Sequence, residues 1–464
     1  MATHFTKHSF YRYAKCPSWI GHDARHDHPE DALRIRLQED GLLPEVERLL
    51  LQQRGTMVVE VVADDLDEAM QQTLRYMKEG AQTIYRPVLM IDHAVARPDF
   101  LERVQGASFF GRYYYVACDI KRSRSLKPEY KLQGCFYADV LEMIQKTKPV
   151  QGYVMNSKGQ IHSYLLAEAE VEYQLSKDTI LRILSGESEP HFLTSDCKQS
   201  PWFSACKTEA VVCDDISRIN RIWRSEADIL RGAGFGTLSA FAQTHPDLIF
   251  GKIAGISQER LRFLHMQARA LFTGEVTLVR PVDLPPSHQC IVIDVESDPL
   301  RDLDYLFGVL VVEGDKAEYH SFLAERPEDE RQAWERFIAF IRSYVGYPLY
   351  HYGWSEQDIF RRLGEKYGTD PEVRSLLADQ GVDLLVCLRD SVIFPLSFYS
   401  LKDIAQYLGF SWRHDEASGL NSVLWYERWL TQGDKTALQD VMMYNEDDVR
   451  ATLHVLRWAE RQRV

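Results

Sequence analysis

Apolar and polar positions recur along this chain with two different periods, and the switch between them predicts its elements. From Tyr113 to Lys121 the period is two: Tyr113, Tyr115, Ala117, Asp119 and Lys121 alternate with Tyr114, Val116, Cys118 and Ile120, which predicts a strand with Asp119 and Lys121 on one face. Apolar segments predict further strands at 84–91, 96–103, 152–155 and 161–166. Helical spacing of Leu66, Met70, Leu74 and Met77, with Asp64 as cap and a stop at Gly80, predicts a helix before them. Another is expected in KLQGCFYADVLEMIQ, with Gln133 and Tyr137 one turn apart, and residues 29–53 are helical in pattern with breaks at Gly41 and Pro44. From 214 to 274 short glycine turns separate amphipathic helices, in LRGAGFGTLSAFA and GKIAGISQERLRFLHMQARALF. VRPVDLPPSHQ then reads as a linker to CIVIDVESDP, a strand that points Ile291, Ile293 and Val295 one way and Asp294 and Glu296 the other. Near the end, VMMYNEDDVRATLHVLRWA is a helix with Tyr444 and Asp448 one turn apart.

The pattern predicts a multidomain α/β chain: a first domain over 1–213, a helical connector over 214–278 and a last domain over 279–464. A length of 464 residues suits about three domains of ordinary size. The net charge of −14 excludes a general adhesive for nucleic acid, so binding must come from local patches. One such patch is Arg122, Arg124, Lys127 and Lys131, either a solvated loop or a phosphate contact. No stretch is long and apolar enough for a membrane span, and a cytoplasmic protein is expected.

Candidate chemistry gathers at the acids. If adjacent strands set Asp99 against Asp119, the two carboxylates repel, and a divalent cation is the usual reason to tolerate them; Lys121 would then lie near the attacking water. A salt bridge on a sheet surface is the ordinary alternative for Asp119 and Lys121. Eight cysteines in such a chain do not suggest a disulfide framework. Cys16 and the crowded Cys197, Cys206 and Cys213 suit a zinc or iron-sulfur site stapling the two ends of one domain, with buried structural thiols as the alternative. The glycine-turn helices fit either a plain connector or helix-hairpin-helix units that grip a DNA backbone through turn amides.

The order Asp99, Asp119-x-Lys121, Gln133-x-x-x-Tyr137, with Glu60 in GTMVVE before it, resembles the RecB-like branch of the PD-(D/E)xK nucleases. Val59 stands where that family has histidine. Cys16-Pro17 and CKQSPWFSAC resemble the cysteine set that holds a four-iron cluster in some of these nucleases, with Ser200 at the middle cysteine and Cys213 as the substitute. Asp294-x-Glu296 and Tyr444-x-x-x-Asp448 resemble the DEDD exonucleases of the ribonuclease H-like fold. In PLYHYGWSEQDIFRRL the family's intermediate acid falls on Glu356 by spacing, with Asp358 the other choice, and YSLKDIAQYLGF with Lys402 and Asp403 is similar to the helix that follows.

Together these features resemble a family of bacterial RecB-like nucleases. The resemblance implies Mg2+ or Mn2+ held by Glu60, Asp99 and Asp119 in one centre and by Asp294, Glu296, Glu356 or Asp358, and Asp448 in another. It implies catalytic roles for Lys121, Gln133, Tyr137 and Tyr444 beside the acids. The expected activity is hydrolysis of DNA, or RNA, exonucleolytic and favouring single strands or ends. Val59, Ser200 and Glu356 depart from the family pattern, and the alternative is a nucleic-acid-binding or scaffolding protein with a degenerate centre.

Overall fold

The computed structural model describes residues 5–25, 47–48, 51–52, 55–121, 126–156, 159–187, 192–299, 301–353, 355–414 and 418–462. Two compact units divide the chain, Met1–Ala210 and Val211–Val464. The expected helical segment at 29–53 lies almost entirely outside the described residues.

In the first unit, helices α1 (Lys7–Lys15) and α2 (Pro17–Arg25) precede strand β1 (Val58–Glu60) and helix α3 (Leu66–Glu79). Asp65, not Asp64, caps α3: its carboxylate accepts from the amides of Asp67 and Glu68, and Gly80 ends the helix at φ +74°. Strands β2 (Thr83–Tyr85), β3 (Phe100–Ser108) and β4 (Gly111–Ile120) are followed by helix α4 (Pro128–Gln145), strands β5 (Gln151–Met155) and β6 (Ile161–Leu165), and helices α5 (Glu170–Leu184) and α6 (Phe203–Val212). These six strands form one mixed sheet in sequence order, with β1–β2 and β4–β5 parallel and the other pairs antiparallel.

Two of the expected strands are split. Arg86 at φ +54° followed by Pro87 turns the chain after Tyr85, and Pro98, which lacks an amide donor, separates Ala96 from Phe100. The displaced pieces Leu89–Ile91 and Ala94–Ala96 build a small separate sheet with Phe5–Thr6. Period two does hold in β4: Tyr115 packs with Phe136 and Leu141 of α4 in the main core, while Cys118 and Ile120 join Tyr85 and Phe100 in a smaller cluster. Asp119 and Lys121 therefore face α4.

In the second unit, helices α7 (Arg224–Gly232), α8 (Leu238–Gln243) and α9 (Gln258–Thr273) come first. Gly234, at φ +94°, makes the turn that lets the amide of Phe235 reach the carbonyl of Leu230 at 2.9 Å. The sheet that follows contains β7 (Gln289–Asp298), β8 (Leu303–Glu313) and β9 (Lys316–Leu323); after helix α10 (Glu330–Ile341) come β10 (Leu349–His351), helix α11 (Ser355–Tyr367), β11 (Val382–Asp383) and helices α12 (Leu384–Ser391), α13 (Leu401–Tyr407), α14 (Gly419–Gln432) and α15 (Lys435–Glu460). Its strand order is β9-β8-β7-β10-β11, with β7, β10 and β11 parallel and the first three antiparallel neighbours. β8 is buried along its length except at Glu313, because helices cover both faces: Phe337 and Phe360 lie in one core, Val449 and Leu453 in the other.

Candidate active sites

The first acid pair is built by strand register. Phe100 stands opposite Cys118, so Asp99 falls opposite Asp119 across β3 and β4. Their carboxylates are locked by backbone amides: Asp99 N donates to Asp119 Oδ1 at 3.2 Å, and Ile120 N donates to Asp99 Oδ2 at 2.6 Å. The Tyr137 hydroxyl, on α4, donates to both Asp119 oxygens at 3.2 and 3.0 Å, and Lys121 Nζ is 3.3 Å from Asp119 Oδ2, with both side chains buried. Gln133 lies on the same helix but reaches elsewhere, donating to the carbonyl of Lys7 at 3.3 Å.

Burial alone would push both carboxyls up. Lys7 and Lys121, with the Tyr137 hydrogen bond, hold Asp119 below the usual carboxylate range. Asp99 rises to about 6 through burial and the charge of Asp119, against the pull of the same two lysines. Lys7 is buried near the start of α1, and with Asp99 it lines a cavity of about 820 Å³ that Glu60 and Arg86 also reach. Glu60 is exposed and sits 3.5 Å from Arg86.

Of the expected basic run, Arg122 and Arg124 lie outside the described residues. Lys127 stacks over Tyr130 at 5.4 Å, and Lys131 is neutralised by Glu168 at 2.7 Å. Cys16 lies close enough to Cys197 and Cys206 to act on both, and all three are buried, but their sulfurs do not all fall within 4.8 Å of one another. Trp202 reinforces that junction by donating to Asp23 at 2.6 Å and stacking on His22. Ser200 is buried beside them in sequence, whereas Cys213 is exposed and belongs to the second unit. Three buried thiols are one fewer than an all-cysteine four-iron cluster requires.

The second acid set lies toward the carboxyl end of β7, where β10 runs parallel and hands the chain to α11. One oxygen from each of Asp294, Glu296 and Asp448 falls within 4.8 Å of the others, with Glu296 and Asp448 buried and Asp294 partly so. A register shift between Glu296 and Ser297 interrupts the pairing with β8, which resumes with Ser297 opposite Asp304. α15 contributes from one face: Asn445 Nδ2 donates to Asp294 Oδ2 at 2.7 Å, Asn445 Oδ1 accepts from Tyr319 at 2.7 Å, and Asp448 lies three residues on. Trp412 Nε1 donates to Asp448 Oδ1 at 2.6 Å, and Tyr444 is hydrogen-bonded to the same carboxyl. Gly308 faces Asp294 across the ladder, and a Cβ there would sit on Asn445 Oδ1.

Among the described residues, no lysine or arginine is a leading influence on this trio. Burial, then the charges of Glu296 and Glu356, drive Asp294 well above the carboxylate range. Burial and the Asp448 charge push Glu296 up to about 8, although hydrogen bonds from Ser422 and Asn445 oppose this. Asp448 is raised well up by burial and Asp294. Glu356, buried near the start of α11, accepts from the Ser355 hydroxyl at 3.1 Å and lies 3.6 Å from His351 Nδ1, outside the tight trio yet close enough to act on Asp294. Asp358 is not brought into the site: its carboxylate is exposed and pairs with Arg361 at 3.3 Å. Two residues along a helix rotate the side chain by about 200°, so one of the two acids must face away.

The donor set fits a hard divalent cation: oxygen ligands only, close enough to share an ion, and held charged at neutral pH only at a cost that a cation would remove. Lys7, Asn445, Trp412 and Ser422 are the functional neighbours that pattern reasoning misses. Asn445 left a signal in standing three residues before Asp448; Lys7 left none. No curated protein matches the chain. Residues 291–460, which span the whole trio, match the family model described as the RNase_H superfamily, and the second unit therefore carries a ribonuclease H-like domain, a nuclease-type fold.

Proposed function

We propose that the protein is a divalent-metal-dependent nuclease whose principal centre is the Asp294, Glu296 and Asp448 trio, with DNA as substrate and single strands or ends preferred. The observation that carries this reading is the gathering of three uncompensated carboxyls at the sheet end of a ribonuclease H-like domain. Asp294, Glu296 and Asp448, with Glu356 behind them, would hold Mg2+ or Mn2+, which when bound supplies charge neutralisation at the phosphate and acidifies water. Asn445 fixes the rotamer of Asp294, while Trp412 and Tyr444 fix Asp448. The Tyr444 hydroxyl, driven well above its ordinary value by burial and by Asp448, keeps its proton and orients water beside the scissile bond.

Asp99, Asp119, Lys121 and Tyr137 are proposed as a second, RecB-like centre, with Glu60 at the rim of its cavity. A second reading has a specific support: Lys7 and Lys121 neutralise that acid pair, as suits a centre that binds nucleic acid without cutting it. Cys16, Cys197 and Cys206 are proposed to hold an iron-sulfur cluster whose fourth ligand is not a cysteine of the set, and iron analysis with visible absorbance after anaerobic purification checks it.

The deciding experiment incubates labelled single- and double-stranded DNA and RNA with the protein and Mg2+ or Mn2+, beside Asp294→Asn and Asp119→Asn. Loss of cleavage in Asp294→Asn is expected. Undiminished cleavage in that variant refutes the principal centre, and loss in Asp119→Asn as well assigns cutting to both units.

A further inference from the structure

Away from the acids, the second unit holds an open groove of about 520 Å³ lined by Arg262, Phe263 and Met266 of α9, by Val279, and by Arg389 at the end of α12. Its walls are fixed to one another by backbone. Thr277 and Leu278 pair antiparallel with Ile393 and Val392, and the amide of Val279 donates to the carbonyl of Ser391 at 2.8 Å.

The charges around this groove are unevenly satisfied. Arg260 is held by Glu226 at 2.8 Å, and Asp390 by Arg280 at 2.9 Å, so those pairs cancel. Arg389 forms no ion pair among the described residues, and its Nε is buried without a hydrogen-bond partner. Burial, then the like charge of Arg221, lowers the affinity of Arg389 for its proton, against smaller pulls from Tyr352, Asp383 and Tyr399. Arg262 is exposed, lies 5.3 Å over the ring of Phe250 and likewise has no ion pair among the described residues. Glu259, on the first turn of α9, is the remaining acid of the lining and is outnumbered. Arg389 and Arg262 thus both line the groove without an ion-pair partner among the described residues, and an anion entering it would supply one.

The floor adds a second requirement. Phe263 is partly buried with one face under Arg260 at 5.7 Å, Met266 is partly buried, and Val279 is half exposed. A free phosphate uses none of this apolar surface, and a duplex keeps its base faces stacked inside. Single strands present phosphates and unstacked bases together.

We propose that this groove is a binding site for single-stranded nucleic acid, in which Arg389 and Arg262 take phosphates and Phe263 with Met266 takes a base. The inference deepens the proposed function and borrows from it only the nature of the polymer. It places a grip on substrate in the seam between the helical segment and the ribonuclease H-like domain.

Binding is measured in EDTA, so the result does not depend on whether the protein hydrolyses anything. Fluorescence anisotropy follows a labelled oligothymidine and a duplex of the same length across a range of salt, with wild type, Arg389→Gln, Arg262→Gln, their combination and Phe263→Ala. Thermal melts confirm that each variant is folded, and Arg389→Lys serves as the conservative partner should Arg389→Gln melt early. The double arginine variant is expected to flatten the slope of log affinity against log salt by about 1.4 for the single strand. Phe263→Ala is expected to weaken single-strand binding by roughly fivefold or more and leave the duplex unchanged. Wild-type affinity and slope in the folded arginine variants overturn the site. Equal losses for duplex and single strand, with Phe263→Ala silent, overturn the assignment to single strands. If wild type binds as expected but cuts nothing with metal present, the proposed nuclease fails and the groove stands.

Discussion

The two acid clusters solve the same electrostatic problem in opposite ways. Asp99 and Asp119 are pinned by backbone amides and a tyrosine, and two lysines supply the missing positive charge, so the metal-free pair is close to neutral. Asp294, Glu296 and Asp448 are pinned as firmly, but by neutral donors: Asn445, Trp412, Ser422 and Tyr444. Positioning and charge compensation are therefore separable. Where the protein supplies its own cations, a metal adds little to stability; where it supplies only dipoles, the site is incomplete without one.

The largest expected effect is catalytic. Glu296→Gln removes a carboxylate from the uncompensated trio and should lower metal-dependent hydrolysis by roughly a thousandfold, about 4 kcal/mol of transition-state stabilisation. A fall of less than tenfold would mean that the other unit does most of the cutting. Lys121→Met removes an internal cation from the compensated pair. It leaves Asp119 buried with one ammonium fewer, and denaturant unfolding should show the first unit destabilised by roughly 3 to 5 kcal/mol. If added Mg2+ restores that loss, the lysine and the metal occupy equivalent electrostatic roles, and the pair is a latent cation site.

Next comes Gly308→Ala, which carries no charge. The new Cβ would displace Asn445 from Asp294, and the rate should fall by roughly 10- to 100-fold with the trio itself intact. An unchanged rate would show that Asn445 does not position Asp294.

The smallest effect is on stability against pH. A carboxyl whose folded value is raised binds its proton more readily in the native state, so native stability falls as pH rises between the unfolded and folded values. For Glu296 that window runs from its ordinary 4.5 to about 8. Asp119, held low, has the opposite sign: its contribution is present above the ordinary carboxylate value and is lost as pH falls below it. In EDTA the unfolding midpoint of the second unit should drop by roughly a few degrees from about pH 5 to about pH 8, and Glu296→Gln should flatten the drop. Saturating Mn2+ should reverse its sign.

How much of this was legible in the chain depends on how local each feature is. Period two in CIVIDVESDP and YYYVACDIK put Asp294 with Glu296 and Asp119 with Lys121 on shared faces, because alternation is a property of a single strand. One helical turn linked Tyr444 to Asp448 in the same way. Arg86 and Pro98 divided segments that hydropathy alone joined, since a left-handed φ and a missing amide override apolar pattern. Lys131 looked like free positive charge until Glu168, far along the chain, was found beside it. Lys7 belongs to the acid pair only through tertiary packing, and no spacing rule reaches from the start of α1 to β4. The ribonuclease H-like match agrees with the fold that the resemblance of the last domain implied, whereas the RecB-like and iron-sulfur readings of the first unit come from resemblance alone and are proposals.

One cluster demands a cation, and the other supplies its own. Calorimetric titration of Mn2+ into the metal-stripped protein, beside Asp294→Asn and Asp119→Asn, distinguishes the two. The tightest binding should disappear in Asp294→Asn and survive in Asp119→Asn. Tight binding that persists in Asp294→Asn and vanishes in Asp119→Asn would contradict it.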